Sequence, residues 1–334
     1  MSTLTVCAQA IKSWKNACDD LGIDHHVADQ LAKESRDGFI SLSRFVRATE
    51  AIADDAKVKI LGWRVGERYD LRMLGPVGNA MLSCATLGAA LHRFVDYFGL
   101  VQDATEFTLS VEGGSAILRY RILDPDIWPR QQDSLFTLSI IGQLLRRAVN
   151  FSWDQVQISL ESGDRVAAAQ LCRLIGISCQ DNADFNAIRF PAAFLDLPLV
   201  ETNAVLAPDY KLLNQGIAKK RRAMNVVLRV RTAVYRHLGS PEIDQGRIAT
   251  ELGMSTRTLR RKLAEENSCF QQIVLGCRMR HAAHQFQSRR NISIADLALR
   301  VGYSEHSAFT RAFSKWSGMP PHAFLKHTQA ISPQ

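Results

Sequence analysis

IATELGMSTRTLRRKL, residues 248–263, joins a short apolar helix to an arginine-rich one through a single glycine. Gly253 stands where a tight turn between two helices needs a positive φ, and Ser255 can cap the helix that follows. In that second helix Leu259 and Leu263 are four residues apart, so they share one face and are expected to pack inward. The stretch therefore predicts two helices held across a tight turn, with an exposed face on the second.

The exposed face of the second helix carries Arg257, Arg260 and Arg261, with no acid among them before Glu265. The planar guanidinium of arginine can bond both to phosphates and to the O6/N7 edge of guanine in the major groove. A surface helix built on ion pairs would mix acids among the arginines. The pattern favours a DNA recognition helix, and the alternative is a solvated basic face.

The same arrangement returns 49 residues later as ALRVGYSEHSAFTRAF, residues 298–313. Gly302 takes the place of the earlier glycine, and Phe309 and Phe313 form the apolar pair. The residues left free for DNA are His306, Ser307, Thr310 and Arg311. A motif that occurs twice is stronger evidence than either copy, and the helical pattern over 271–287 would join the two.

Charge is divided unevenly along the chain. Residues 211–334 contain 21 lysines and arginines against seven acids, a net +14, whereas residues 1–210 carry −6. At 334 residues the chain is long enough for two cores, and an apolar fraction of 46% supplies the side chains to fill them. We therefore expect a polyanion-binding module attached to a domain that does not bind polyanions.

Residues 1–205 mix strand and helix periodicity. The strongest strand signal is the alternation on both sides of Gly113 and Gly114, which predicts a β-hairpin over 104–122. Further strands are expected at 155–160 and 187–190, and helices at 86–98, 131–150 and 164–174 after three short helices in 5–55. The fold class expected is an α+β N-terminal domain followed by an all-α C-terminal domain with two helix-turn-helix motifs.

The domain limits follow from where the patterns change. We expect residues 1–205 as the first domain, 206–240 as a helical linker, and 241–330 as the second domain, after a break at Gly239-Ser-Pro241. The linker contains Lys219-Lys-Arg-Arg222, a cluster that could lie beside DNA or face water.

The C-terminal motifs resemble those of the AraC/XylS transcription regulators. The residues that carry the resemblance are Ala298, Gly302, Tyr303, Ser304, Phe309, Phe313, Gly318, Pro321 and Phe324, with Arg278, Ala282 and Phe286 in the linking helix. The resemblance implies a seven-helix unit whose two recognition helices enter successive major-groove segments roughly 34 Å apart. It places Arg257, Arg260 and Arg261, then His306, Ser307 and Arg311, at the bases. Asn267 departs from the family's usual glycine, but asparagine tolerates the left-handed conformation.

The N-terminal part is similar to the ligand-sensing, arabinose-binding-like domain of the ornithine-regulator branch of that family. The matching motifs are LSCATLGAAL (82–91), Tyr97, Leu123-Asp-Pro125 and FPAAFLDLP (190–198). The resemblance implies an effector pocket and a homodimer. Aromatic residues of this part can line an apolar pocket or fill an ordinary core. The effector-binding candidates are Trp63, Phe94, Tyr97, Tyr120, Trp128 and Phe136.

These patterns predict a sequence-specific transcription regulator, with activation expected from the family's habit. Its partners would be a double-stranded DNA operator, a small-molecule effector, a second copy of the chain and RNA polymerase. Cys277, His281 and His284 share one helix face but would need a fourth ligand from elsewhere, so no metal and no cofactor is expected. We expect no catalytic residues, and a DNA-binding enzyme or an effector-independent DNA-binding protein is the alternative.

The spacing of the cysteines and the length of the apolar runs indicate in which cellular compartment the protein is expected. The seven cysteines are scattered through apolar stretches with no CxxC pair, which is typical of reduced thiols. No run approaches the roughly 18 apolar residues that a membrane span requires. The N-terminus also lacks the charged lead and apolar core of a signal peptide. We expect a cytoplasmic protein that makes no membrane contact.

Overall fold

A computed structural model of the chain describes residues 4–200, 207–238, 243–288 and 292–331. The chain forms two units, one of Met1–Ile122 with Pro129–Ala223, the other of Leu123–Trp128 with Met224–Gln334. We call them the N-terminal unit and the C-terminal unit. Because six residues in the first half of the sequence belong to the C-terminal unit, the chain passes between the units three times.

The N-terminal unit is α+β, as predicted. Its elements in chain order are β1 (Thr5–Cys7), α1 (Gln9–Leu21), α2 (His26–Lys33), β2 (Phe39–Ser41), α3 (Leu42–Asp55), α4 (Leu61–Gly66), α5 (Pro76–Leu82), α6 (Leu87–Tyr97), β3 (Thr105–Glu112), β4 (Ser115–Ile122), α7 (Gln131–Leu145), β5 (Gln157–Ser159), α8 (Arg165–Ile175), β6 (Ser178–Gln180), β7 (Asn186–Pro191) and α9 (Tyr210–Ala223). β1 and β2 pair with each other, and the other strands form one sheet in the order β3-β4-β7-β5-β6.

The predicted hairpin is confirmed. β3 and β4 pair antiparallel from Thr105–Ile122 to Glu112–Ser115 and are joined at the two glycines. β7 continues the sheet on the other edge of β4. The strands expected at 155–160 and 187–190 correspond to β5 and β7, and β5 pairs parallel with β6, which the sequence pattern did not reveal.

Helix α7 lies at the centre of the N-terminal unit and is buried on nearly every side. Helix α4 packs directly on it because two of its residues have no side chain. A Cβ atom on Gly62 would lie 2.1 Å from the carbonyl oxygen of Gln132, and one on Gly66 would lie 2.7 Å from that of Phe136. The close approach of these two backbones therefore depends on both glycines.

In its described residues the C-terminal unit contains seven helices, the number that the family resemblance implies. They are α10 (Val226–Arg236), α11 (Gln245–Glu251), α12 (Thr256–Glu265), α13 (Phe270–Ser288), α14 (Ile294–Arg300), α15 (His306–Ser317) and α16 (Pro321–Ile331). Two apolar clusters hold them together, and α13 supplies both. Its Ile273 and Cys277 pack with α10, α11 and α12, whereas its Met279 and Phe286 pack with α14 and α15. This helix is the linker predicted over 271–287.

Leu123–Trp128, between β4 and α7, is part of the C-terminal unit. Leu123 is buried in the cluster formed with α10 and α12. The Asp124 and Asp126 carboxylates accept hydrogen bonds of 3.0 and 2.8 Å from the Arg231 guanidinium of α10. These six residues were expected in the first domain.

Part of the predicted organisation falls outside the described residues. The domain limit at 205–206 and the break at Gly239-Ser-Pro241 both lie there. The predicted helical linker contains α9, which packs in the N-terminal unit, and α10, which packs in the C-terminal unit. Within the ranges that the structure describes, no helix combines the length and apolarity needed to cross a membrane.

Candidate DNA interface and ligand cavity

The first helix-turn-helix motif consists of α11 and α12. Gly253 between them has φ +70°, as the turn requires. The Ser255 hydroxyl accepts a 3.1 Å hydrogen bond from the backbone N–H of Thr258 and so caps α12. Leu259 and Leu263 are fully buried. The opposite face of α12 is thereby turned to solvent.

The three arginines predicted to contact DNA lie on that outer face and are exposed. Arg260 donates a 3.1 Å hydrogen bond to the Gln245 side chain of α11. Arg261 pairs with Glu265 at 2.5 Å, four residues along the same helix. Such an exposed pair contributes little stability, so a phosphate or a base can replace the carboxylate. No contact within the described residues holds the Arg257 guanidinium.

The second motif consists of α14 and α15, joined at Gly302, whose φ is +82°. The Arg278 guanidinium of α13 lies across this turn and over the Tyr303 ring, 5.4 Å from its centroid. Phe309 and Phe313 are fully buried, as predicted. The two aromatic side chains hold α15 against α13 and leave its first turn facing outward.

The residues predicted to read DNA from the second motif lie at the start of α15. His306, Ser307 and Arg311 are exposed, and Thr310 is half-buried. The Thr310 hydroxyl lies 3.5 Å from Nε2 of His306. Asn267, which follows α12, has φ +54°, so asparagine does adopt the left-handed conformation there. The two outer faces differ in charge, because α12 presents three arginines and α15 presents one in its first two turns.

The N-terminal unit contains a cavity of about 390 Å³. Most of its wall is apolar and aromatic. The aromatic side chains that line it are Phe39, Phe45, Tyr69, Phe98 and Phe136, which come from five separate segments. Aliphatic residues from β1, α5 and α7 complete the wall. A cavity of this size and composition is typical of a site for a small molecule.

Two polar side chains at the cavity wall connect to a buried network. Gln102 and Thr137 line the cavity, and both are buried. Gln102 donates a 2.8 Å hydrogen bond to the Tyr120 hydroxyl, which donates a 2.5 Å bond to the Asp133 carboxylate. Burial raises the pKa of Asp133 to about 6. The network fixes the orientation of the polar part of the wall.

The structure places the six effector-binding candidates in different surroundings. Phe136 lines the cavity, and Tyr120 bonds to Gln102 of its wall. The indole N–H of Trp63 donates a hydrogen bond to the Glu67 carboxylate. The Phe94 ring packs on Phe98 and Phe107. The Tyr97 hydroxyl donates a hydrogen bond to the Asn214 side chain. Trp128 lies in the C-terminal unit, where its ring stacks on His284 with centroids 4.6 Å apart.

The sequence analysis missed Phe39, Phe45, Tyr69 and Gln102. These residues lie in a three-residue strand, a helix and two irregular segments, and only the tertiary fold brings them to one cavity. The motif residues Cys277 and His284 have packing contacts in the C-terminal unit. Across the described ranges, no three histidines, cysteines or acids are grouped as metal ligands would be.

Known families match both parts of the chain. Residues 17–199 match the family described as the arabinose-binding domain of AraC transcription regulator, N-term, and residues 248–327 match a helix-turn-helix domain. An uncharacterized HTH-type transcriptional regulator of Mycobacterium tuberculosis is 27% identical over 298 residues, which cover 84% of this chain and 81% of the relative.

Two proteins of Pseudomonas aeruginosa are also similar. The ornithine utilization regulator is 24% identical over 289 residues, which cover 85% of this chain and 82% of that protein. Among solved structures, the transcriptional regulator CdpR aligns with 94% of this chain and 97% of its own, with 18% identity and a TM-score of 0.46.

Proposed function

Because this chain belongs to the AraC family of transcription regulators with an arabinose-binding N-terminal domain, we propose that α12 and α15 read its operator and that an effector in the N-terminal unit controls them. The chain is a DNA-binding transcription regulator with a ligand-binding domain. The observation that carries the proposal is the pair of buried side chains in each recognition helix, which leaves the opposite face exposed.

The two recognition helices have different roles in this proposal. Arg257, Arg260 and Arg261 on α12 bond to phosphates and to guanine edges, so their part of the operator depends strongly on charge. Helix α15 contributes one fixed positive charge, that of Arg311, through its candidate residues His306, Ser307, Thr310 and Arg311. Recognition there relies more on hydrogen bonds and shape.

Substitution of single arginines tests the assignment. We expect Arg261→Ala and Arg311→Ala each to weaken binding of the full chain to a selected operator by about 1–3 kcal/mol and to relax preference at one base position. Fluorescence anisotropy on the operator and on single-base variants measures both effects. Arg165→Ala is the matched control, since that side chain is 92% exposed in the N-terminal unit.

The outcome distinguishes two kinds of contact. A uniform loss on every sequence, with a salt slope reduced by about one, would identify a phosphate contact in place of a base contact. Unchanged operator affinity in both variants would contradict the proposal that the exposed faces of α12 and α15 contact DNA. Two recognition helices on one chain would span successive major-groove segments of one DNA face.

We also propose that the regulator acts as a cytoplasmic, homodimeric activator that contacts RNA polymerase and catalyses no reaction. Transcription of a reporter behind the operator, with and without the protein, tests activation. Sedimentation of the full chain tests dimerisation. An operator affinity that no small molecule changes would favour an effector-independent DNA-binding protein, and turnover of a bound compound would favour an enzyme.

A further inference from the structure

We propose that the cavity of the N-terminal unit binds an uncharged, largely apolar small molecule with one hydrogen-bonding group. That this molecule is the effector rests on the proposed function. The cavity is lined by Phe39, Phe45, Phe98, Phe136 and aliphatic residues. Its buried polar residues are Tyr69, Gln102 and Thr137, whereas Gln9 is half-buried and Arg72 is exposed. The following observations set the size, the charge and the polarity of the ligand.

The size of the cavity argues for a ligand. Protein interiors are packed as densely as organic crystals, and their voids are rarely larger than a water molecule. At about 390 Å³ this cavity lies near the lower end of the range of small-molecule sites. It therefore suits a compact molecule, such as a medium-length aliphatic chain or a single substituted ring.

The charge of the wall argues for an uncharged ligand. Arg72 is the one charged residue that lines the cavity within the described residues. Its guanidinium donates three hydrogen bonds of 2.7 to 3.0 Å to the carboxylate of Asp70, and its side chain is largely exposed. An ionised ligand would therefore enter an apolar site with no uncompensated counter-charge, and burying an unpaired charge is costly.

The polar part of the wall argues for a single hydrogen-bonding group. The Gln102 amide nitrogen and the Thr137 hydroxyl both bond to the Tyr120 hydroxyl, so these two residues offer a ligand acceptor oxygens, the amide oxygen of Gln102 and a lone pair of the Thr137 hydroxyl. A sugar or an amino acid would bury several polar groups against phenylalanine rings, and each unpaired group would weaken binding. One hydroxyl group, which can donate to either oxygen, matches what these two residues offer.

Calorimetric titration of the full chain, without DNA, tests the ligand class. The probes are straight-chain 1-alkanols from hexanol to decanol, with octanoate, L-arabinose and L-ornithine for comparison. We expect affinity to rise about fourfold per added carbon, the value for burying one methylene, until the chain fills the cavity. Binding should show a negative heat-capacity change. Octanoate should bind at least tenfold more weakly than octanol.

Paired variants locate the binding. Thr137→Val should weaken octanol binding about threefold to tenfold by removing one hydrogen bond. Thr49→Val, at a buried threonine of α3 outside the cavity wall, should not. Val77→Ala enlarges the cavity and should move the best alkanol to a longer chain, whereas Val156→Ala, also buried but not lining the cavity, should leave the ranking unchanged.

Tighter binding of octanoate, arabinose or ornithine than of octanol would overturn the proposed ligand class. Equal alkanol affinities in wild type, Thr137→Val and Val77→Ala would overturn the location. The operator assay keeps this result separate from the proposed function. If alkanols bind and operator affinity does not change, the cavity assignment stands and the effector role fails. If a charged metabolite changes operator affinity and alkanols do not bind, the ligand class fails and the regulator role stands.

Discussion

The two turns between paired helices show how much a single residue can decide. Gly253 and Gly302 occupy equivalent places and have similar positive φ values. Their surroundings differ, because a Cβ atom on Gly253 would meet nothing within 4 Å, whereas one on Gly302 would lie 2.7 Å from a guanidinium nitrogen of Arg278. The left-handed backbone favours glycine at both positions, and at Gly302 a side chain would in addition have to displace the end of the Arg278 side chain.

We expect Gly302→Ala to destabilise the C-terminal unit more than Gly253→Ala does. Each alanine carries the strain of a left-handed backbone, about 1–3 kcal/mol. The alanine at position 302 must also displace Arg278. Urea denaturation of both variants measures the difference. Adding Arg278→Ala to each variant should reduce that difference, and equal destabilisation of the two single variants would show that the guanidinium moves without cost.

Two carboxyl groups with raised pKa values, one half-buried and one fully buried, give the N-terminal unit a predictable pH dependence. Glu50 on α3 accepts a 2.7 Å hydrogen bond from the backbone N–H of Gln132, and burial raises its pKa to about 7. The pKa of Asp133 is raised to about 6 for the same reason. The folded state thus holds these protons more tightly than the unfolded state, so stability is fully present at low pH and falls as pH rises through these values.

We expect the melting temperature of the N-terminal unit to fall between about pH 4, near the unfolded pKa values, and about pH 7, the upper folded pKa, and Glu50→Gln to flatten part of that fall. Glutamine keeps the acceptor for Gln132 but cannot ionise. Differential scanning calorimetry across this pH range measures the effect. Asp55→Asn, on the exposed side of the same helix, is the control, and an identical pH profile for Glu50→Gln and wild type would contradict the assignment.

Helices and strands with a clear period of apolar residues were predictable from the sequence. Elements held by contacts with residues far away in the sequence were not. The leucine pair of α12 and the phenylalanine pair of α15 marked their buried faces in advance. Strands β1 and β2 are three residues long, too short to show a period, and form by pairing with each other. Leu123–Trp128 shows no local pattern that links it to the C-terminal unit, because its partners lie about 100 residues further along the chain.

Separation along the sequence also explains which parts of the DNA interface and of the ligand cavity could be predicted. The outer faces of α12 and α15 follow from the spacing of apolar residues within each helix. The candidate DNA-binding residues on them are exposed as expected, except Thr310, which is half-buried. The cavity wall draws on five aromatic residues from separate segments, and of the aromatic residues chosen from the sequence Phe136 lies in it. Local pattern identifies a helix face, whereas a cavity depends on contacts between distant segments.

At the scale of the element, the 123–128 segment should contribute measurable stability to the C-terminal unit. We expect Asp124→Asn to cost about 1.5–3 kcal/mol, since it removes the negative charge from a largely buried hydrogen-bonded pair with Arg231 while keeping an acceptor oxygen. Asp126→Asn should cost less, because that carboxylate is 45% exposed. Chemical denaturation measures both, and equal effects would show that burial does not decide the strength of these pairs.

For the whole molecule, α9 provides a covalent path from the cavity wall to the first helix of the C-terminal unit. Its Lys220 pairs with Asp103 at 3.1 Å, donates to the carbonyl of Gly99 and lies 4.6 Å from the centroid of Phe39, a cavity residue. Two residues separate α9 from α10. The Lys219-Lys-Arg-Arg222 cluster is thus not uniformly solvated, since one of its lysines is held within the N-terminal unit.

We expect Lys220→Gln to reduce the change in operator affinity that saturating octanol produces, because it removes the contact between α9 and the cavity residue Phe39. Operator affinity without octanol should stay within about twofold of wild type. Lys219→Gln is the matched control, since the neighbouring lysine is exposed. Anisotropy titrations with and without octanol measure both quantities, and an undiminished response in Lys220→Gln would exclude this path.

The three passages of the chain between the units limit how its parts can be exchanged. A gene fusion made at one junction near residue 224 would transfer α10 to α16 without Leu123, Asp124 and Asp126. The grafted unit would lose one apolar residue of its core and both carboxylates that hold Arg231. A functional chimera therefore needs a second insertion, the six residues Leu123–Trp128, matched to the α10 that they accompany.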